Sequence, residues 1–228
     1  MSDLIKAAHR GASGEYPENT LLAFEEAIKQ GANLLEIDVR ACKTGELVVI
    51  HDATVDRTTN GRGIVADLTL EELKNLDAGQ GQQISTLGEA LDILDKRIAI
   101  NIEIKGKGVA KSLAATLKTY IEDRGWPKDF FIITSFDRKE FHEFSKVNPG
   151  VHLSILAGKN PLDILMRAKR YGAYSVHLAK PYMRRWIIKA FQKRNFKVFT
   201  YTLNSIWEIG RAKQMGVDGI FSDYPARL

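Results

Sequence analysis

Two periodicities take turns along this chain. In some stretches apolar and polar residues alternate at every second position, as on a strand. In others apolar residues return every third or fourth position, as on one face of a helix. The run Leu4 to His9 reads as the first strand, and a helix starting at Asn19 or Thr20 follows, with Leu21, Phe24, Ala27 and Ile28 on one face and Gly31 as its stop. The stretch Leu34 to Asp52 holds two strand-like runs separated only by Lys43-Thr44-Gly45-Glu46. That turn is too short for a parallel crossover, so a hairpin is expected. The segment Asp56 to Gly63 is turn-rich, and short helices are expected from Thr69 and Thr86, each with a glutamate three residues on in the capping-box pattern. The strongest strand signal is Arg97 to Lys105, followed by a helix over Val109 to Arg124. Strand-like runs Phe130 to Phe136, His152 to Ala157, Tyr174 to Leu178 and Lys197 to Leu203 then each lead into a helix, and Gly219 to Asp223 closes the series. Asp137 with Glu140 and Ser205 with Glu208 are expected to form further capping boxes, and Asn160-Pro161 opens another helix.

Strand–helix alternation with connections of this length argues a parallel sheet. There are nine strand-like runs and eight helices. If the early hairpin supplies one antiparallel strand, eight remain. The expected fold is therefore α/β, a (βα)8 TIM-type barrel with a small inserted loop and helical segment after the third strand-like run. Residues 1–228 are read as one domain, with 53–85 as the insertion. An open doubly wound sheet is the alternative, but the first strand lacks a glycine-rich dinucleotide turn and Gly106-Lys107-Gly108 lacks a third glycine.

Composition narrows the function. The net charge is +5, much of it in Arg184, Arg185, Lys189, Lys193 and Arg194. These interleave with Trp186, Ile187, Ala190 and Phe191 and are read as the solvated face of an amphipathic helix with its apolar stripe turned inward, which favours no nucleic-acid partner. No apolar run is long enough to span a bilayer, and the opening residues carry no signal-peptide hydrophobic region. A single cysteine, Cys42, excludes an intrachain disulfide and fits a reducing, cytoplasmic location. It is read as a small residue beside a turn.

The candidate chemistry lies at strand ends. Glu36 and Asp38 are two apart in an apolar run and so share one strand face, away from Leu35, Ile37 and Val39. Glu103 and Lys105 repeat the arrangement, and His9-Arg10 and His51-Asp52 end their own runs. In a barrel all four places fall at the carboxyl ends of strands. Two like charges about 4 Å apart repel by roughly 4 kcal/mol at an effective dielectric near 20. Three converging carboxylates, Glu36, Asp38 and Glu103, would therefore protonate or recruit a cation, and an all-oxygen set suits Mg²⁺ or Ca²⁺ better than zinc. With Arg10 and Lys105 counted, a divalent ion leaves the site at +1, which a phosphodiester neutralises and a phosphomonoester overshoots. His9 and His51 fit the general acid and base of phosphodiester cleavage, with Arg10 holding phosphoryl oxygens. The structural alternative is a buried ion-pair cluster of the three carboxylates with Arg10, Lys105 and Arg40. His142, His152 and His177 lack such company and are read as surface or packing residues.

Taken in order, His9-Arg10-Gly11, Pro17-Glu18-Asn19-Thr20, Glu36-Ile37-Asp38-Val39, His51-Asp52, Asp56-Arg57-Thr58-Thr59-Asn60-Gly61, Asn101-Ile102-Glu103-Ile104-Lys105, Ser135-Phe136 and Ser222-Asp223-Tyr224-Pro225 resemble the glycerophosphodiester phosphodiesterases over almost the whole chain. The resemblance implies a barrel that hydrolyses a small-molecule glycerophosphodiester to sn-glycerol 3-phosphate and an alcohol with one divalent cation, Mg²⁺ or Ca²⁺. It implies His9 and His51 as the acid–base pair, Glu36, Asp38 and Glu103 as metal ligands, and Arg10 and Lys105 as phosphate contacts. Tyr201 stands where many members carry tryptophan and is expected to face the substrate. Ser85-Thr86-Leu87-Gly88-Glu89 lacks the proline and extra glutamate common there. A related lyase releasing a cyclic phosphate, or a catalytically silent anion-binding barrel, are the competing functions; the head-group alcohol and the oligomeric state are left open.

Overall fold

The computed structural model describes residues 4–157 and 160–228. Met1 to Asp3, among the opening residues read above for a signal-peptide region, lie outside the described residues. The strands are β1 (Ile5–His9), β2 (Leu34–Ala41), β3 (Leu47–Val49), β4 (Ala99–Ile104), β5 (Phe131–Ser135), β6 (His152–Leu156), β7 (Ser175–Ala179), β8 (Lys197–Tyr201) and β9 (Gly219–Ser222), with an α-helix between consecutive strands except β2 and β3 and with two between β3 and β4. The helices are α1 (Leu21–Lys29), α2 (Leu70–Lys74), α3 (Leu87–Leu94), α4 (Val109–Glu122), α5 (Arg138–Val147), α6 (Pro161–Arg170), α7 (Arg185–Gln192) and α8 (Ile206–Met215). Every strand but β3 runs parallel to its neighbours, in the order β1-β9-β8-β7-β6-β5-β4-β2, and β1 pairs with β2 to close the ring. Closure excludes the open doubly wound sheet.

The hairpin is present, and its position explains how His51 reaches the site. β1 pairs with β2 only as far as His9 opposite Glu36. Beyond that point β2 still has β4 on one side, with Val39 opposite Ile104. Its other edge, vacated by β1, would expose unpaired backbone groups. β3 fills that edge antiparallel, with Val39 opposite Val49, and Ile50 N–H donates to the Asp38 carbonyl at 2.9 Å. His51 follows at once, above the end of β1.

Alternation on the strands sorts three apolar clusters. Leu35, Ile37, Val39, Ile100, Ile102 and Ile104 face outward and pack with the helices. Ala7, Leu34, Ile132, Phe199 and Phe221 plug the barrel interior below the site. Cys42, Val48, Ile50, Val55, Val65, Leu73 and Ile84 form a separate cluster between β3 and the segment that follows it. Cys42 is thus a buried packing residue.

Thr69, Thr86 and Ser205 each form the expected capping box. Asp137 caps α5, accepting from Lys139 N–H and Glu140 N–H. Glu140, however, does not complete a box there. Its carboxylate reaches across to the neighbouring helix and accepts from Gly108 N–H at 2.7 Å and Ala110 N–H at 3.1 Å. The first N–H groups of α4 have no partner within their own helix, and Gly108 has no side chain to supply one, so a neighbouring carboxylate is favoured. We expect Glu140→Ala to lower unfolding free energy by about 1–3 kcal/mol in urea titration, with turnover per folded molecule unchanged. An unchanged midpoint would show that water replaces the carboxylate at no cost.

Candidate active site

The strand pleat that sends Ile37 and Val39 outward turns Glu36 and Asp38 into the barrel mouth, and Glu103 arrives beside them because Asp38 pairs with Glu103 in the β2–β4 register. All three are buried, and a carboxylate oxygen from each lies within 4.8 Å of the others. Above them is a cavity of about 240 Å³ lined by His9, Arg10, Glu36, His51, Asn101, Glu103, Lys105, Phe136, Leu156, His177, Tyr201, Thr202 and Phe221. Seven of the eight residues singled out from the sequence therefore border one space. The eighth, Asp38, lies beneath it.

Asp38 is clamped by two residues in left-handed backbone conformation, Arg10 at φ +59° and Asn19 at φ +57°. Such conformations cost a non-glycine residue about 1 kcal/mol or more, which the fold bears where both side chains converge. Asn19 Nδ2–H donates to Asp38 Oδ2 at 2.9 Å and Arg10 Nε lies 3.2 Å from the same oxygen. Gly11 follows at φ +82°, where a Cβ would stand 2.7 Å from the Ala23 backbone, so the turn after His9-Arg10 requires glycine.

The carboxylate set fits a hard divalent cation. Asp38 Oδ1 and Glu103 Oε1 are buried and accept no hydrogen bond. Lys105 Nζ pairs with both, at 3.4 and 2.6 Å, so one ammonium charge is shared between two buried carboxylates and leaves the set of three undercompensated. Buried carboxylate oxygens left this way are costly unless a cation engages them. Burial and the charge of Asp38 push the Glu36 pKa above the ordinary carboxylate range. Burial raises Glu103 as well, with Lys105 opposing and Asp38 adding to the shift. Carboxylates this strained in isolation are the donors that Mg²⁺ or Ca²⁺ prefers. Arg40 plays no part in compensating them through hydrogen bonds; its Nε–H donates to the His51 carbonyl at 2.9 Å.

Each histidine has its own carboxylate. His9 Nδ1 is 2.7 Å from Asp223 Oδ1, and His51 Nδ1 is 2.6 Å from Asp52 Oδ1. With Nδ1 occupied, Nε2 is the nitrogen left to serve the cavity both rings line. Their environments differ. For His9, burial opposes charge, but Glu36 and the bond to Asp223 outweigh it and the pKa lies above 6.5. For His51, burial prevails over the bond to Asp52, helped by Lys105 and Arg10, and the pKa lies below 6.5.

Asp52 is in turn held by Arg57, whose Nε–H donates at 2.7 Å and whose hydrogen bond is the main cause of a depressed Asp52 pKa. Arg57 also donates twice to Glu18, at 2.7 and 2.8 Å, and Glu18 accepts from Arg10 at 2.9 Å. One chain of charges thus runs from His51 through Asp52, Arg57 and Glu18 to Arg10 and Asp38. Glu18, Asp52, Arg57 and Asp223 stand within the motifs quoted above, yet no role was read for them. Nothing in their local spacing shows which partner each meets.

Tyr201 faces the cavity as expected, edge-on to Phe136 with ring centres 6.5 Å apart. Burial and the Glu103 charge hold its pKa up at about 12, so it stays a hydroxyl donor. His177 is buried in the cavity floor, stacked on Phe199 and bonded through Nε2 to Ser175 Oγ at 2.9 Å. Burial pushes its pKa down to about 3, so it is neutral packing, as read. His142 lies against Tyr171 and His152 against Tyr174, both away from this cavity.

Fold and site together define a (βα)8-barrel enzyme of the phosphodiesterase class. The sequence model described as the glycerophosphoryl diester phosphodiesterase family matches residues 9–227. A protein of Caldanaerobacter subterraneus subsp. tengcongensis named glycerophosphodiester phosphodiesterase is 38% identical over 97% of this chain and 94% of its own length. A phosphodiesterase of Oleispira antarctica, solved with the product sn-glycerol 3-phosphate, superposes with a TM-score of 0.89 at 28% identity, covering 97% of this chain and 93% of that one. A glycerophosphodiester phosphodiesterase of Agrobacterium tumefaciens gives 0.84 at 28% identity, covering 100% and 98%. The chain belongs to the glycerophosphoryl diester phosphodiesterase family. Among the described residues no helix is long and apolar enough to cross a membrane.

Proposed function

We propose that this protein hydrolyses glycerophosphodiesters to sn-glycerol 3-phosphate and an alcohol, dependent on one divalent cation, Mg²⁺ or Ca²⁺. The observation that carries the reading is the pair of carboxylate-anchored histidines set over a buried triad of carboxylates. The domain is taken as residues 1–228 with 53–85 as the insertion, and a reducing, cytoplasmic setting suits its lone cysteine.

Glu36, Asp38 and Glu103 would hold the cation. When bound, it supplies Lewis-acid stabilisation of charge on the phosphoryl oxygens. Arg10 and Lys105, each anchored by carboxylates, bind the phosphoryl oxygens from the side. His51, kept neutral, accepts the proton of the attacking hydroxyl or water at Nε2. His9, kept protonated beside Asp223, donates from Nε2 to the leaving alkoxide. Tyr201 and Phe136 form the aromatic wall met by the alcohol group.

The test is release of sn-glycerol 3-phosphate from glycerophosphocholine and glycerophosphoethanolamine, with EDTA and then with Mg²⁺ or Ca²⁺ restored. Release abolished by EDTA and rescued by one ion is expected. Release indifferent to EDTA would sink the metal role, and a cyclic phosphate as the final product would make the enzyme a lyase.

The pH profile follows from the two histidines. His51 must be neutral, so kcat/KM rises as pH passes its pKa below 6.5; His9 must be charged, so it falls through a pKa above 6.5. A bell is expected between them. Asp223→Asn removes the anion bonded to His9 and should move only the alkaline limb, downward. A shift of the acid limb instead would reverse the two roles.

A further inference from the structure

The charge of this protein is unevenly distributed. Residues 160–216, which carry α6, α7 and α8, hold twelve lysines and arginines against two acids, a net of +10 in a chain whose total is +5. The remainder is therefore net −5. On the same flank sit four of the most exposed large apolar side chains: Leu162 at 70%, Trp186 at 67%, Ile206 at 76% and Trp207 at 70%. Leu162 and Trp186 are the second residues of α6 and α7, and Ile206 and Trp207 are the first two of α8. In this fold a helix begins at the carboxyl end of the strand before it, so all four stand around the mouth that holds the candidate active site. An ion pair between Lys180 and Glu208 ties the turn before α7 to the first turn of α8. Arg184 and Arg185, next to Trp186, form no ion pair among the described residues.

We propose that this side of the barrel mouth docks on an anionic lipid surface. Solvent exposure of two tryptophans, a leucine and an isoleucine at one rim is unfavourable in water, and burial of such groups at a headgroup boundary is the usual way interfacial proteins hold on. Tryptophan is suited to that depth because its ring is apolar and its N–H polar. A neutral partner would satisfy the apolar groups but leave the unpaired arginines uncompensated; an anionic bilayer meets both. A nucleic-acid backbone would meet the arginines and offer nothing to Leu162 and Ile206. Lys169, Arg170, Lys193, Arg194, Lys197 and Lys213 lie at the ends of α6, α7 and α8 or at the start of β8. By the rule that places helix starts at the mouth, they stand at the opposite end of the barrel and are screened from the rim, so Arg184 and Arg185 carry the attraction. The purpose of docking rests on the proposed reaction: a glycerophosphodiester is a phospholipid stripped of its acyl chains, so the mouth would face the surface that releases its substrate.

The test is co-sedimentation of the full chain with vesicles of phosphatidylcholine alone and of phosphatidylcholine with about one third phosphatidylglycerol, alongside glycerophosphocholine turnover. Wild type is expected to partition onto the anionic vesicles, with a blue shift in tryptophan emission, and to be released by salt. Trp186→Ala with Trp207→Ala, and separately Arg184→Glu with Arg185→Glu, should each lower partitioning by about tenfold or more, with turnover of the soluble substrate unchanged. No partitioning of wild type, or partitioning that both double variants retain, overturns the proposal; so does retention on duplex DNA with none on vesicles. Vesicle binding without turnover would defeat the proposed reaction and leave the docking face standing, and turnover without vesicle binding would do the reverse.

Discussion

His51→Ala removes turnover, with an expected loss of about 10²–10⁴-fold in kcat/KM and a barrel that remains folded. The size of the effect comes from losing an accessible imidazole whose pKa is pushed down: the His9 pKa is pushed up, and His177, also neutral at this cavity, is buried and bonded to Ser175. No other described group takes its place: Asp52 is committed to Arg57, and the Lys105 pKa is raised because Asp38 and Glu103 outweigh its burial. Tolerance of the fold comes from position. His51 follows β3 at the rim, partly exposed, and its side chain bonds only to Asp52. Circular dichroism and urea midpoint should match wild type while product release is lost. A variant of full activity would remove His51 from the mechanism.

Glu36→Gln should weaken cation binding beyond the 10–100-fold typical of disturbing a residue behind a metal ligand, and lower turnover with it. The amide keeps the shape and can still accept from Arg10 N–H, now at 3.0 Å to the carboxylate, so the local turn survives. What goes is one of the negative charges that a hard cation prefers. Binding is read directly by titrating Mg²⁺ or Ca²⁺ against the protein in a calorimeter, apart from any activity. Excess metal should restore turnover only in part, because the amide does not replace the lost ligand charge. An unchanged titration would exclude Glu36 from the ligand set.

The strands, most helix starts and the candidate residues were legible because each depends on short-range geometry. Period two places Glu36 and Asp38 on one face whatever lies around them, and threonine or serine followed by glutamate marks a helix start within four residues. The hairpin was legible for the same reason: a four-residue turn leaves no other pairing.

Other features needed the ring to close. Asp223 orients His9 from 214 residues away, a meeting that exists only because β9 lies beside β1. Glu140 fits the local box pattern as well as Glu89 and Glu208 do, yet it caps α4, because α4 and α5 pack side by side and leave its carboxylate nearer to those N–H groups. The basic helix α7 reads along the sequence as a solvated face over an inward apolar stripe; Ile187 and Phe191 do turn inward, but Trp186, in the first turn, stands 67% exposed at the rim beside the first turns of α6 and α8. Local backbone periodicity and hydrophobic patterning are properties of neighbouring residues, so the sequence by itself determined the elements, their order and the candidate chemistry. The partner of a buried charge, and hence the proton each histidine holds, is decided by whichever group closure brings within about 3 Å, and that belongs to the tertiary structure alone.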